Sequence, residues 1–131
     1  MPEIAILILA AVAVLMLKHM AADFFLQTPY QYCNKRTYGH PGGLLHSLIH
    51  IALTPLVYLV LAPVSPLLAL GIAAGEFAVH YHVDWAKEQI TRRNGFTPQT
   101  RGFWHLLGID QLLHGLTYLA IVAVLIWAAA S

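Results

Sequence analysis

Residues 4–26, IAILILAAVAVLMLKHMAADFFL, decide the fold class of this chain. Residues 4–17 are all apolar, and the run continues past Lys18 and His19 to Leu26. A stretch of about 20 predominantly apolar residues is long enough to cross the hydrocarbon core of a bilayer as an α-helix. The sequence therefore predicts a transmembrane helix whose last turns carry ionisable side chains.

Three further apolar runs indicate that this helix has partners of the same kind. Of the 131 residues, 59% are hydrophobic and only 10% are charged, whereas about 25% of the residues in a soluble domain are charged. We therefore predict an all-α integral membrane protein, a four-transmembrane-helix bundle forming one domain over residues 1–131. Thr54-Pro55 should kink the second helix. The predicted spans are residues 4–26, 44–62, 67–88 and 103–129.

The basic residues give the predicted bundle an orientation. All of them lie in or beside the loops that join the first run to the second and the third run to the fourth. The positive-inside rule then places these two loops in the cytoplasm and both termini on the outer side. A net charge of +1 argues against nucleic acid as a partner. The basic residues are Lys18, Lys35, Arg36, Lys87, Arg92, Arg93 and Arg101.

Four pairs of ionisable side chains share one spacing and one predicted depth. In each pair a histidine lies four residues from an aspartate or another histidine, so both members face the same side of a helix. With the predicted orientation, every pair lies in the cytoplasmic half of its span. Ionisable groups in membrane helices are costly and usually tied to function. The pairs are His19/Asp23, His46/His50, His80/Asp84 and Asp110/His114.

The order of the pairs indicates an internal repeat. The first and third pairs both read histidine-x3-aspartate, and the second and fourth both end in histidine. We therefore predict two tandem helical hairpins related by an axis along the membrane normal, with a polar site at their interface.

The chemistry of the pairs favours a bound metal. Imidazole and carboxylate are common ligands of zinc, iron and manganese, and such pairs on facing helices build metal sites in bundle cores. For one pair alone, an interhelical hydrogen bond is the simpler interpretation. For all four together we predict a divalent metal, with zinc favoured over iron and manganese. The candidate ligands are His19, Asp23, His46, His50, His80, Asp84, Asp110 and His114.

A metal at this depth predicts a hydrolytic function. A bound divalent ion activates water, and the inner leaflet supplies a lipid headgroup or another membrane-associated substrate, so membrane lipid is the expected partner. Asp110 and Asp23 are the candidate catalytic carboxylates. The supporting side chains near the cytoplasmic end are Gln27, Lys35, Lys87 and Gln111.

Three other functions fit parts of the pattern. A small metal-ion or proton-coupled transporter would use buried histidines and aspartates, although the nearly apolar outer halves count against transport. A haem carrier is disfavoured because axial histidines need no aspartates. A non-catalytic membrane subunit would keep the polar layer for structure alone. The oligomeric state, or membership of a larger membrane complex, is left open by the sequence.

The whole pattern resembles a known family of small bacterial and phage membrane proteins, called domain of unknown function 3307. The resemblance covers about residues 15–118 and implies a multi-pass protein of the bacterial cytoplasmic (inner) membrane. It brings no established activity. A more distant likeness links the chain to integral membrane proteins labelled metal-dependent hydrolases. The motifs are His19-x3-Asp23-Phe24-x2-Gln27, Lys35, His46-x3-His50, His80-x3-Asp84-x2-Lys87 and Asp110-Gln111-x2-His114.

Overall fold

The computed structural model describes residues 2–63 and 65–130, and all the regular structure in these ranges is helical. This confirms the all-α prediction. Two of the long helices change type near one end, where a π-helical segment continues α1 and a 3₁₀ segment continues α3. The elements are α1 (Pro2–Met20), the π-helical segment (Ala21–Leu26), α2 (Pro29–Asn34), α3 (Pro41–Leu53), the 3₁₀ segment (Thr54–Leu59), α4 (Pro66–Arg93) and α5 (Arg101–Ala130).

Within the described residues, three helical stretches are long and apolar enough to cross a membrane. They are Pro2–Leu26, Pro41–Leu59 and Arg101–Ala130, which correspond to the predicted spans 4–26, 44–62 and 103–129. These helices indicate that the protein is associated with a membrane. The predicted span 67–88 lies within α4, which is not one of the three, because its histidines, carboxylates and polar last turns lower its hydropathy.

The long helices pack in a closed ring. α3 packs against α4, α4 against α5, and α5 against α1, while the 3₁₀ segment closes the ring against α1. At one end of the ring the core is apolar. Its fully packed members are Ala11, Leu15, Val57, Ile72, Ile121, Val122 and Leu125. The buried histidines and aspartates lie nearer the opposite end, where α1, α3 and α4 approach the two longer connections.

Local sequence explains the two changes of helix type. Pro55 has no N–H to donate and its ring clashes with the preceding turn, so α3 stops at Leu53 and the tighter 3₁₀ segment follows. This is how the predicted irregularity at Thr54-Pro55 is realised. The π-helical segment carries Asp23. Such single-turn π segments frequently occur at functional sites, and this one lies where Asp23 turns towards α3.

The short helix α2 brings Lys35 into the bundle. It begins with a capping box in which the side chains of Thr28 and Gln31 each bond to the other's backbone. The loop then lies directly on α3, since a Cβ atom on Gly42 would be only 2.7 Å from the carbonyl oxygen of Tyr30. Only glycine permits this approach. As a result Lys35, which follows α2, is buried beside α4.

Candidate metal centre

All eight candidate ligands lie in one connected, buried layer of the bundle, which we call the histidine layer. His46 and His50 are fully buried, and Asp23 is the most exposed member, with 14% of its side chain accessible. Side chains from α1, α3, α4 and α5 and from the π-helical segment therefore meet in one place. The members are His19, Asp23, His46, His50, His80, Asp84, Asp110 and His114.

One half of the histidine layer is centred on Asp23. Its Oδ1 atom lies 3.1 Å from Nε2 of His46 and 3.1 Å from Nε2 of His50. Its Oδ2 atom lies 3.1 Å from Nε2 of His19. Ligand atoms of Asp23, His46, His50 and His80 all fall within 4.8 Å of one another, which is close enough to surround one ion.

The other half is centred on Asp84. Its Oδ1 atom lies 3.4 Å from Nε2 of His114, and its Oδ2 atom lies 3.5 Å from Nε2 of His80. Ligand atoms of His80, Asp84 and His114 again fall within 4.8 Å of one another. The two groups thus share His80, and His46 links them further, with its Nε2 atom 3.3 Å from Oδ2 of Asp84.

These spacings are compatible with metal coordination as well as with direct hydrogen bonds, two of which are formed by His50 with Asp23 and by His114 with Asp84. N–H···O bonds are usually about 2.9–3.0 Å long. Around a tetrahedral ion with ligand bonds of about 2.0–2.2 Å, neighbouring ligand atoms are about 3.3–3.6 Å apart. The separations between the aspartate oxygens and the Nε2 atoms of His46, His80 and His114 range from 3.1 to 3.5 Å. A tetrahedral ion would therefore fit with only small shifts of the side chains.

Several atoms of the histidine layer are buried without a hydrogen-bond partner among the side chains described. No contact of hydrogen-bonding geometry reaches either ring nitrogen of His46 or His80, or Oδ1 of Asp110, although Nε2 of His46 lies 3.1 Å from Oδ1 of Asp23. Leaving a buried polar group unsatisfied costs about 1–3 kcal/mol. A neutral imidazole has a free lone pair on only one of its two ring nitrogens, so a cation in the layer would give a partner to one nitrogen of each ring and to the Asp110 oxygen.

The charges of the histidine layer also favour a bound cation. The layer holds the three carboxylates of Asp23, Asp84 and Asp110, but its only direct contact with a lysine is from Lys35, whose Nζ lies 2.7 Å from Oδ2 of Asp84. Lys87 lies 3.4 Å from Glu88 and also interacts electrostatically with Asp110 and Asp84. An excess of buried carboxylates is costly in an apolar bundle, and a divalent cation would offset it.

The histidine layer opens at one end through a small cavity, which we call the mouth. Its volume is about 120 Å³, and Asp23, Asp84 and Asp110 all reach it. The supporting side chains named from the sequence all line it as well: Gln27, Lys35, Lys87 and Gln111. A small polar molecule in the mouth would therefore contact the carboxylates and both ammonium groups.

Gln111 connects members of the layer that come from different helices. Its Nε2 donates to Oδ2 of Asp110 at 3.2 Å and to Oδ2 of Asp23 at 3.4 Å. Its Oε1 lies 3.2 Å from Nε2 of His19. The other ring nitrogen of His19 lies 2.8 Å from the hydroxyl of Tyr118. These contacts hold His19 and the two aspartates in fixed positions.

A second buried polar group, which the sequence analysis missed, lies beside the histidine layer. We call it the ion-pair layer and define it as Lys18, Thr54 and Glu76. The ammonium of Lys18 contacts one carboxylate oxygen of Glu76, and the hydroxyl of Thr54 donates to the other. Both hydrogen-bond donors also reach the backbone carbonyl of His50, at 3.0 and 3.1 Å.

The ion-pair layer corrects one part of the sequence analysis. Lys18, which the sequence predicts to lie beside a cytoplasmic loop, is only 3% exposed and lies inside the bundle. Glu76 was overlooked, although it is the one carboxylate in the apolar first part of α4 and lies four residues before His80. That spacing repeats the pattern of the four pairs and was the available signal.

The fold and the buried cluster define a membrane-associated helical protein with a candidate metal centre. The family model described as protein of unknown function (DUF3307) matches residues 11–131. The chain therefore belongs to this family, as its motifs predicted. No curated protein and no solved structure matches it, and the distant likeness to metal-dependent hydrolases receives no support from these comparisons.

Proposed function

We propose that this protein is a membrane-embedded, metal-dependent hydrolase whose histidine layer binds divalent metal, with zinc the favoured ion. The observation that carries the proposal is the convergence of imidazole nitrogens and carboxylate oxygens, from all the long helices, at separations of 3.1–3.5 Å. Buried ring nitrogens without partners and the excess of carboxylates support it independently.

The grouping of the ligands favours two adjacent ions. Asp23, His46 and His50 would hold one, and His80, Asp84 and His114 the other. Catalytic zinc sites typically have three protein ligands and leave a further position for water or substrate. His19 and Asp110 flank the two groups. Contacts such as those of Gln111 with Asp23 and Asp110 would orient the ligands, as outer hydrogen bonds commonly do in metal sites.

The charged side chains that line the mouth would each have a role in hydrolysis. A bound divalent ion would supply a water of lowered pKa. In the reaction the water oxygen bonds to the electrophilic atom, the ester bond to the leaving oxygen breaks, and that oxygen receives a proton. Asp23 and Asp110 line the mouth, where they can accept and return this proton, while Lys35 and Lys87 face an anionic group.

We further propose four membrane spans, with both termini outside the cytoplasmic membrane of a bacterium. α4 has 28 residues, so it is about 42 Å long at 1.5 Å per residue. The six cations other than Lys18 lie in or beside the two longer connections, near the mouth. Because these connections would be cytoplasmic, the mouth would face the inner leaflet.

The native cysteine tests this orientation. Cys33 is exposed on α2, in the first of the two connections. A membrane-impermeant maleimide should label it in inside-out vesicles and leave it unlabelled in intact spheroplasts. A cysteine placed at Ser65, between the second and third spans, should show the opposite pattern. Labelling of Cys33 in spheroplasts would reverse the proposed topology.

The apolar core beyond the ion-pair layer disfavours transport. Leu15, Val57 and Leu125 are almost fully buried there, so an ion in the histidine layer has no polar route towards the opposite end among the described residues. The proposal accordingly favours chemistry at a site open to one side.

Elemental analysis is the first test of the proposed function. Purified protein should carry stoichiometric zinc, iron or manganese, and His50→Ala and His114→Ala should each lose most of it. His82→Ala is the matched control, because His82 is exposed and bonds to Tyr38 outside the layer. Metal that persists in both layer variants would contradict the ligand assignment.

Turnover is the second test. Metal-loaded protein would be incubated with vesicles of bacterial lipids, and the lipid products identified by mass spectrometry. Asp110→Asn keeps the shape of the side chain but removes its charge, so it should retain metal and lose hydrolysis. Stoichiometric metal without any lipid product would favour a metal-binding role over an enzymatic one.

A further inference from the structure

A groove on the bundle surface leads directly to the histidine layer. It lies between α1 and α5 and has a volume of about 280 Å³. Its walls are apolar: Met16 is 61% exposed, Met20 is 45% exposed, and Phe24 is 67% exposed. Gly115 contributes no side chain on the α5 side, and a Cβ atom there would meet nothing within 4 Å. In a membrane this groove would open towards the lipid.

The floor of the α1–α5 groove is polar, unlike its walls. It consists of His19, Gln111 and Tyr118, which are joined by the contacts of the two ring nitrogens of His19. His19 in turn lies 3.1 Å from Asp23. A molecule in the groove is therefore one side chain away from the proposed metal ligands.

A second groove of similar size provides the contrast. It lies between α4 and α5, has a volume of about 300 Å³, and is lined by Gly71 and Gly75. It reaches Glu76 of the ion-pair layer and shares no residue with the mouth. The α1–α5 groove, in contrast, shares Phe24 and Gln111 with the mouth. A third apolar groove, also between α4 and α5, meets the mouth through Lys87 and Asp110, but among the grooves described only the α1–α5 groove has a histidine of the layer, His19, in its floor.

The mouth fits a small anion. Its 120 Å³ equals the volume of about four waters at ~30 Å³ each, comparable with the five heavy atoms of a phosphate group. Two lysines, Lys35 and Lys87, line it together with the carboxylates of Asp23, Asp84, Glu88 and Asp110, so an anion would be held there by the lysines together with the proposed divalent ions.

We propose that the substrate is a lipid whose headgroup ends in a phosphate monoester. Its tail enters from the inner leaflet through the α1–α5 groove, and its phosphate lies in the mouth between Lys35 and Lys87. This inference rests on the proposed function for the reacting bond. Hydrolysis would join the water oxygen to phosphorus, break the phosphorus–oxygen ester bond and protonate the leaving oxygen, giving inorganic phosphate and a lipid alcohol.

The closing experiment uses a photoreactive lipid. The full chain, loaded with metal, is placed in nanodiscs with phosphatidic acid that carries a diazirine in its acyl chain. Cross-links should concentrate on residues 16–24 and 111–118. Gly115→Leu fills the α1–α5 groove and should reduce these cross-links about fivefold or more, because the leucine side chain occupies the space of the acyl chain. Gly71→Leu fills the α4–α5 groove that Gly71 and Gly75 line and should leave the cross-links unchanged.

Two further arms test the headgroup and the fold. Phosphatidylcholine with the same diazirine chain should label the groove less, because its phosphate is esterified on both sides. Inorganic phosphate at the concentration of the lipid should not displace the probe. If it does, the mouth takes free phosphate and the lipid inference is wrong. Gly115→Ala, which adds only a methyl group, should label like the wild type and guards against a folding defect in Gly115→Leu.

The outcomes separate this inference from the proposed function. Equal labelling in Gly115→Leu and Gly71→Leu, or equal labelling by the two headgroups, would overturn the inference while metal content still supports a metal centre. The expected groove labelling in a protein that binds no metal even when metal is supplied would overturn the hydrolase proposal and leave a lipid-binding groove.

Discussion

The ion-pair layer and the histidine layer are both buried in the same bundle, yet their polar groups are satisfied in different ways. In the ion-pair layer, the ammonium of Lys18 and the carboxylate of Glu76 balance each other, and every polar side-chain atom described there has a partner. In the histidine layer, carboxylates outnumber contacting ammonium groups, and several ring nitrogens have no partner.

This difference indicates what each layer needs. A balanced and fully bonded pair is complete within the chain and serves to lock helices together. A cluster with more carboxylates than contacting ammonium groups, and with ring nitrogens that lack a hydrogen bond, fits a ligand from outside the chain, and a divalent cation would supply positive charge and accept nitrogen lone pairs. The variants below test whether the two layers really differ in this way.

The largest effect should come from breaking the ion-pair layer on one side. Glu76→Leu leaves the ammonium of Lys18 buried and unpaired, so it should destabilise the protein by about 3–5 kcal/mol. The double variant Lys18→Met/Glu76→Leu removes both charges and should recover most of the loss. Chemical unfolding in detergent measures both. If the double variant is as unstable as the single one, the pair is not a self-contained unit.

Metal removal should affect only the histidine layer. At free metal of 1,000 times its dissociation constant, binding stabilises the folded state by about 4 kcal/mol, so a chelator should lower the unfolding temperature of the wild type. Lys18→Met/Glu76→Leu should respond as strongly as the wild type, and His50→Ala should not respond. A chelator effect of equal size in His50→Ala would assign the metal to some other site.

A variant of Lys35 tests whether the Lys35–Asp84 contact belongs to a metal site or is a structural ion pair. If Asp84 is a metal ligand, removing the ammonium 2.7 Å away should strengthen metal binding in Lys35→Met by about tenfold or more, through lost charge repulsion. Competition with a chelating dye gives the affinity. Arg36→Met removes a charge from an exposed neighbouring position and is the control. Weaker metal binding together with lower stability would instead make Lys35–Asp84 a structural pair like Lys18–Glu76.

Tyr118 touches both layers and should give the smallest effect. Its hydroxyl lies 2.8 Å from His19, and its ring lies 4.7 Å from Nζ of Lys18. Tyr118→Phe keeps the ring and removes one hydrogen bond, so it should cost about 0.5–1.5 kcal/mol with metal content unchanged. Loss of metal in this variant would show that His19 needs the hydroxyl in order to coordinate.

The sequence could predict features that depend only on where a residue lies within a single helix, such as the spans and the side chains that share a helix face. Apolar runs predicted four spans, three of which correspond to helices long and apolar enough to cross a membrane, and the spacing of four residues marked side chains that share a face. The loop cations placed the pairs at one depth. The chain also revealed its family through motifs such as His80-x3-Asp84, which the family match confirmed.

What the sequence could not predict depends on contacts between helices. Glu76 contacts Lys18, which lies 58 positions away in the chain, and no residue spacing within α4 predicts that partner. For the same reason Lys18 was read as a loop cation. The π-helical segment at Ala21–Leu26 and the burial of Lys35 by α2 are likewise products of packing, because neither follows from a local residue preference.

X-ray absorption spectroscopy of the metal-loaded protein tests the central claim most directly. If imidazoles and carboxylates of the histidine layer hold zinc, the spectrum should show nitrogen and oxygen ligands at about 2.0–2.2 Å, together with the outer-shell scattering of histidine rings. His50→Ala and His114→Ala should each reduce that histidine scattering. A shell of water oxygens alone, or a histidine signal that neither variant changes, would contradict a metal centre in this layer.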